Sequence, residues 1–116
     1  MDENIILVKS KAFAVRIINF YKFLCESKNE YIISKQLLRS GTSIRANCRE
    51  ASRAQTKADF IAKMSISLKE ADETCYWLEL LKETDYIKEK EFNSIYGDAE
   101  ELVKMLVSII KTAKSK

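Results

Sequence analysis

Not one proline interrupts the 116 residues of this chain, and glycine occurs only twice, at Gly41 and Gly97. An average sequence of this length holds about six prolines. β-Meanders and βαβ units take their turns from glycine and proline. Long helices joined by short polar links need neither. The scarcity of breakers therefore predicts an all-α fold.

The apolar periodicity divides the chain into four helical segments. In residues 5–26, Phe13, Ile17, Phe20 and Leu24 recur at spacings of four, three and four, with Ala14, Ile18, Tyr21 and Cys25 in a row beside them. Residues 27–30 offer a polar turn without glycine. The second segment, residues 31–53, turns Ile33, Leu37, Ile44, Cys48 and Ala51 to one side. Its small residues Ser40, Gly41, Ser43, Ala46 and Ala51 invite close approach of another helix. Gly41 within a helix costs about 1 kcal/mol relative to alanine, and close packing is the expected compensation. Thr56 reads as the N-cap of a third segment reaching residue 82, with Asp59 in its first turn. Its stripe is Phe60, Met64, Leu68, Ala71, Cys75 and Leu78. A second stripe of Ile66, Trp77 and Leu81 exceeds what one bundle face needs, so these three are the expected subunit interface. After a polar connection over residues 83–91, the last segment spans residues 92–113 with Gly97 inside it. Four such segments predict an antiparallel up-down-up-down four-helix bundle in a single domain, residues 1–116.

Charge is unevenly distributed. Between residues 35 and 57 lie six bases and one acid, Glu50, a net +5 in a chain of net +3, so the remainder sums to −2. At 100° per residue, Lys35, Arg39, Arg45, Arg49, Arg53 and Lys57 fall in an arc of about 120°, opposite the apolar side. Helices usually intersperse signs to gain i, i+4 pairs, and this arc does not. Arginine outnumbers lysine in it, which suits fork-like contacts to phosphate. Lys35, Arg39, Arg45, Arg49 and Arg53 are the candidate nucleic-acid-binding residues. No aromatic residue is interleaved with them, so base stacking is not indicated. An acidic protein partner and a merely solvated face are the competing readings.

Catalysis finds few tools. The chain has no histidine, so the commonest general base and metal ligand is missing. Glu70 and Glu73 have i, i+3 spacing but lack the histidines of a di-iron bundle and read as a solvated or intersubunit pair. Two isolated glycines cannot make a phosphate loop. Cys25, Cys48 and Cys75 are odd in number, far apart and near apolar positions, as for buried thiols in a reducing cytosol. An acidic start, with Lys9, Lys11 and Arg16 breaking the apolar residues that follow, is neither signal peptide nor membrane span. The expectation is a cytoplasmic protein, not an enzyme, with no cofactor or metal and no membrane partner.

The run Gln36-Leu37-Leu38-Arg39-Ser40-Gly41-Thr42-Ser43-Ile44, with Ala46-Asn47, Glu50-Ala51 and Ser52-Arg53, resembles the bacterial four helix bundle protein family. That family includes proteins encoded in intervening sequences of 23S ribosomal RNA genes. The resemblance continues through Lys57-Ala58-Asp59-Phe60-Ile61, Leu68-Lys69-Glu70-Ala71, Glu73-Thr74 and Trp77-Leu78-Glu79-Leu80-Leu81, and covers most of residues 8 to 112. Arg45 and Ala51 stand where the family often has glycine. The resemblance implies a four-helix bundle without a catalytic centre. Related accessory proteins of diversity-generating retroelements, one branch of the family, form homopentameric rings with a basic surface. They work with a reverse transcriptase and nucleic acid. The implied partners are thus further copies of the chain, with the pentamer as one such state, RNA or DNA, and a protein such as a reverse transcriptase. Ser43, Asn47 and Glu50, between the apolar and basic arcs, are expected to hydrogen-bond to a neighbouring helix or subunit.

Overall fold

The structure, a computed structural model, describes residues 2–116, with side chains from Asn4 onward. It consists of α1 (Asp2–Lys28), α2 (Ile33–Ser52), α3 (Lys57–Glu83) and α4 (Glu89–Ser115), and no strand occurs among the described residues. A 27-residue helix is about 40 Å long, which accounts for the 46 Å long axis of a body only 20 × 19 Å in section.

Residue pairing gives the topology. Across α1 and α2, Ile17 meets Gly41 and Cys25 meets Ser34, while Leu7 meets Arg45. Across α2 and α3, Ser40 meets Thr74, Ile44 meets Ser67 and Glu50 meets Lys63. Across α3 and α4, Lys82 meets Glu89 and Glu79 meets Tyr96. Across α1 and α4, Arg16 meets Asp98 and Lys9 meets Glu101. In every seam one number rises as the other falls, so all neighbours are antiparallel. The fold is the four-helix bundle that the sequence predicts.

Two turns are made without glycine, which explains how so few suffice. α1 ends on Asn29 at φ 54° and α3 runs into Asp85 at φ 66°, the left-handed conformation that Asn and Asp tolerate best among residues with a side chain. The returning N–H groups of Glu30 and Tyr86 bond to Leu24 O at 3.0 Å and Leu81 O at 2.9 Å. Glu30 then folds inward and caps α2. Its carboxylate accepts from the N–H groups of Ile32 (3.1 Å), Ile33 (3.0 Å) and Ser34 (2.6 Å). Burial alone would raise the Glu30 pKa; the backbone donors at Ile33, Ser34 and Ile32 outweigh it and hold the carboxyl below its ordinary value. At the next corner, Thr56 Oγ1 accepts from Asp59 N–H at 3.0 Å, the expected N-cap. α4 begins at Glu89, three residues before the expected 92, with Glu91 accepting from Lys88 N–H at 3.3 Å.

The seams differ in chemistry. α1, α2 and α3 meet through small residues: a Cβ on Gly41 would lie 2.8 Å from Ile17 Cγ1 and Cγ2. Close contact does compensate the glycine. Behind it, Ser67 Oγ donates to Ile44 O at 2.9 Å, Cys48 Sγ lies 3.2 Å from Ser67 Oγ, and Thr74 Oγ1 meets Ser40 Oγ at 2.9 Å. These hydroxyls are buried and bonded, so they add little desolvation cost. The α1–α4 seam is edged instead by exposed ion pairs, Lys9–Glu101 at 2.8 Å and Arg16–Asp98 at 2.6 Å. Such pairs contribute about 0–1 kcal/mol each.

Candidate nucleic-acid interface

Because α1 and α3 flank α2, its outward side is a strip one helix wide. Lys35, Arg49 and Arg53 stand on that strip and are exposed, and none of the three forms a salt bridge among the described residues. Lys35 and Arg53 share one helical phase and lie about 27 Å apart along the axis. Between them the strip carries the uncharged Thr42 and Ala46.

The other members of the predicted arc are differently placed. Arg39 leans onto α3, where its guanidinium pairs with Glu70 at 3.1 Å and also bonds to Glu73. The Trp77 indole N–H donates to the same Glu73 carboxylate at 3.1 Å and is the main reason its pKa falls below the ordinary value; burial opposes this and Arg39 adds to it. Glu70 and Glu73 therefore form a clamp within the chain, not a pair left to solvent. Arg39 keeps about half its side-chain surface in solvent. Arg45 leans the other way, half-buried, with Nε donating to Leu7 O of α1 at 3.1 Å. Lys57 is not on this helix at all. α2 stops at Ser52 with Arg53 as its C-cap, so the 100° phase does not carry beyond Arg53, and Lys57 opens α3 with Nζ on the Lys116 carbonyl. Ser43 and Asn47 bond within their own helix, to Arg39 O at 2.6 Å and Ser43 O at 2.8 Å, while Glu50 reaches Lys63 of α3 at 3.1 Å.

A family model described as 23S rRNA-intervening sequence protein matches residues 2–108. The chain belongs to that family. A crystal structure from Bacteroides thetaiotaomicron VPI-5482, titled a protein with unknown function from the S23 ribosomal protein family, is similar at 57% identity with a TM-score of 0.94. The match covers 96% of this chain and 99% of that one. No curated protein matches.

In this family member the predicted subunit stripe splits. Ile66 is 42% exposed, and Trp77 is half-buried with its ring 5.0 Å from that of Tyr76. Leu81 must be struck from the interface, because it is wholly buried in the chain's own core. The buried arc of α3 widens at its C-terminal end, where the chain folds back through Tyr86 and brings Ile87, 5% exposed, into the core. Ile18, counted with an inward row of α1, is exposed, as are Val8 and Val15. The thiols sit where the periodicity puts them: Cys48 and Cys75 are buried and Cys25 half-buried, all unbridged. Burial raises the Cys48 pKa, and burial with Asp72, Glu100 and Glu79 nearby pushes Cys75 up to about 12. Both stay protonated at neutral pH and are poor nucleophiles. No described helix is long and apolar enough to cross a membrane.

Proposed function

We propose that this protein is a non-enzymatic, homo-oligomeric nucleic-acid binder of the cytoplasm that holds RNA or DNA by its phosphates, with little sequence preference. The observation that carries this reading is the outward strip of α2, where Lys35, Arg49 and Arg53 are exposed along one line. Phosphate contacts position a nucleic acid without reading its bases, and a strip without aromatic platforms offers no base stacking to add to them. Arg39 and Arg45 belong to the edges of the surface. Each has a partner inside the bundle, so each contributes less than an unpaired arginine.

Few contacts per subunit make weak binding, and self-association multiplies them. The exposed Ile66 and partly exposed Trp77 support association. Affinity for a structured RNA, measured by fluorescence anisotropy over a salt series, tests the reading. Each neutralised phosphate adds about −0.9 to the log–log slope on duplex DNA and about −0.7 on single strands. The double variant Arg49→Glu/Arg53→Glu is expected to flatten the slope by one to two such steps. An unchanged slope, or capture of a specific protein that survives nuclease treatment, points instead to an acidic protein partner.

A further inference from the structure

The antiparallel fold brings bases from three helices to one end of the bundle. The C-terminus of α2, the N-terminus of α3 and the C-terminus of α4 share a pole, and Lys57 Nζ on the Lys116 carbonyl ties two of them together. Residues 45–66 and 104–116 hold nine bases and two acids, while residues 2–11, where α1 begins at this pole, hold two of each. The opposite pole, residues 20–38 and 76–93, holds six bases and seven acids. Of the two acids on residues 45–66, Glu50 is paired with Lys63 at 3.1 Å and Asp59 forms no salt bridge among the described residues, while Lys9 of α1 is paired with Glu101. Lys57, Lys111, Lys114 and Lys116 are exposed and form no salt bridge among the described residues, and Lys57, with one of its three ammonium donors on the Lys116 carbonyl, keeps two for a phosphate. The fold sets the lysines that close α4 at the pole where Arg53 and Lys57 also stand.

We infer that the nucleic-acid surface turns a corner, running along α2 from Lys35 to Arg53 and then over the pole across Lys57 to Lys114 and Lys116. This rests on the phosphate-binding reading of α2 and names the ligand class more narrowly. α2 and α4 are diagonal in a section 20 × 19 Å across, and the pole is perpendicular to the α2 strip. A straight duplex lying along α2 reaches Lys35 and Arg53 but not the end of α4. A duplex lying across the pole reaches Lys114 but not Lys35, about 27 Å away. Only a chain that bends within that distance touches both zones. The ligand is therefore a single strand or a sharply bent RNA, held by its backbone.

The test compares Lys35→Glu, Lys57→Glu/Lys114→Glu and the triple variant on two probes, an unstructured single-stranded RNA and a blunt RNA duplex of equal length. All substituted side chains are exposed, and circular dichroism checks that each variant folds. On the single strand, the α2 change is expected to flatten the salt slope by about 0.7 and the pole pair by about 1.4, with the two adding in the triple variant. On the duplex, the losses should not add, because one zone is engaged at a time. A single-strand slope untouched by the pole pair overturns the corner while sparing the α2 reading. Full additivity on the duplex also overturns it. Loss from the pole pair alone, with Lys35→Glu and Arg49→Glu/Arg53→Glu silent on both probes, overturns the corner and the α2 reading together.

Discussion

On the side of α2 that faces α1 and α3, Ser40, Ile44 and Cys48 have no exposed surface, and Gly41 touches Ile17 so closely that a methyl group would not fit. On the outward side Lys35, Arg49 and Arg53 extend into solvent. Both sides belong to one twenty-residue helix and its C-cap, Arg53. The inner side is fixed by packing, where each atom has a neighbour to displace. The outer side makes few contacts inside the chain, so its charges can be changed without disturbing the core. The sharpest break of this contrast is Ile44→Ala, expected to lower the unfolding free energy by about 2–5 kcal/mol in chemical denaturation. A loss under about 1 kcal/mol would mean that the inner side is less tightly packed than the distances indicate.

The two glycines give the next largest test, since both are helical and only one is crowded. At Gly97 a Cβ would meet nothing within 4 Å. Gly97→Ala should stabilise α4 by up to about 1 kcal/mol, the ordinary helix-propensity gain. Gly41→Ala gains the same propensity but forces a carbon against Ile17 Cγ1 and Cγ2 at 2.8 Å, with Cβ at 3.2 Å. Overpacking of this kind costs about 1–3 kcal/mol. Opposite signs in thermal melts of the two variants are the expected result. Two stabilised variants would show that Ile17 can move away.

Glu30 extends the inner side to the start of α2, and its effect depends on pH. Its pKa is held below the 4.5 of an ordinary glutamate, so the folded state binds its proton less readily than the unfolded chain. The stabilisation is therefore complete above about pH 4.5 and is lost as pH falls through the lower, folded-state value. Glu30→Gln keeps an acceptor but removes the charge, at a cost of about 1 kcal/mol near neutral pH. Denaturation at several pH values should show the difference between the parent and Glu30→Gln shrinking as pH falls. A constant difference would mean that the charge plays no part in the cap.

These contrasts also mark what was legible in the sequence. Period 3.6 and the absence of proline give four helices, and the Thr56 cap is visible because its spacing to Asp59 is local. Glu30 was not legible as a cap, because it acts across a turn made possible by Asn29 in a left-handed conformation that other residues adopt less readily. Leu81 was misread because a helical wheel shows the phase of a side chain, not the segment that folds back over it. Among the basic residues, phase correctly put Lys35, Arg49 and Arg53 outward. It could not show that Arg39 and Arg45, nearer the edges of the arc, reach neighbouring helices: long side chains choose partners in three dimensions. Nor could it bring Lys114 and Lys116 to the same pole as Arg53, which requires the antiparallel fold.

The smallest expected stability effect is the most informative about the outer side. Arg49→Gln/Arg53→Gln removes two charges that make no ion pair among the described residues, so denaturation should shift by no more than about 0.5 kcal/mol. Arg39→Gln provides the control. It takes a cation from the Glu70–Glu73 clamp and leaves two partly buried carboxylates facing each other, so its destabilisation should exceed that of the double variant. Nucleic-acid affinity should rank the other way, with the double variant losing more than Arg39→Gln. If the two rankings run in parallel, the outward arginines serve the bundle, and the division between the two sides of α2 fails.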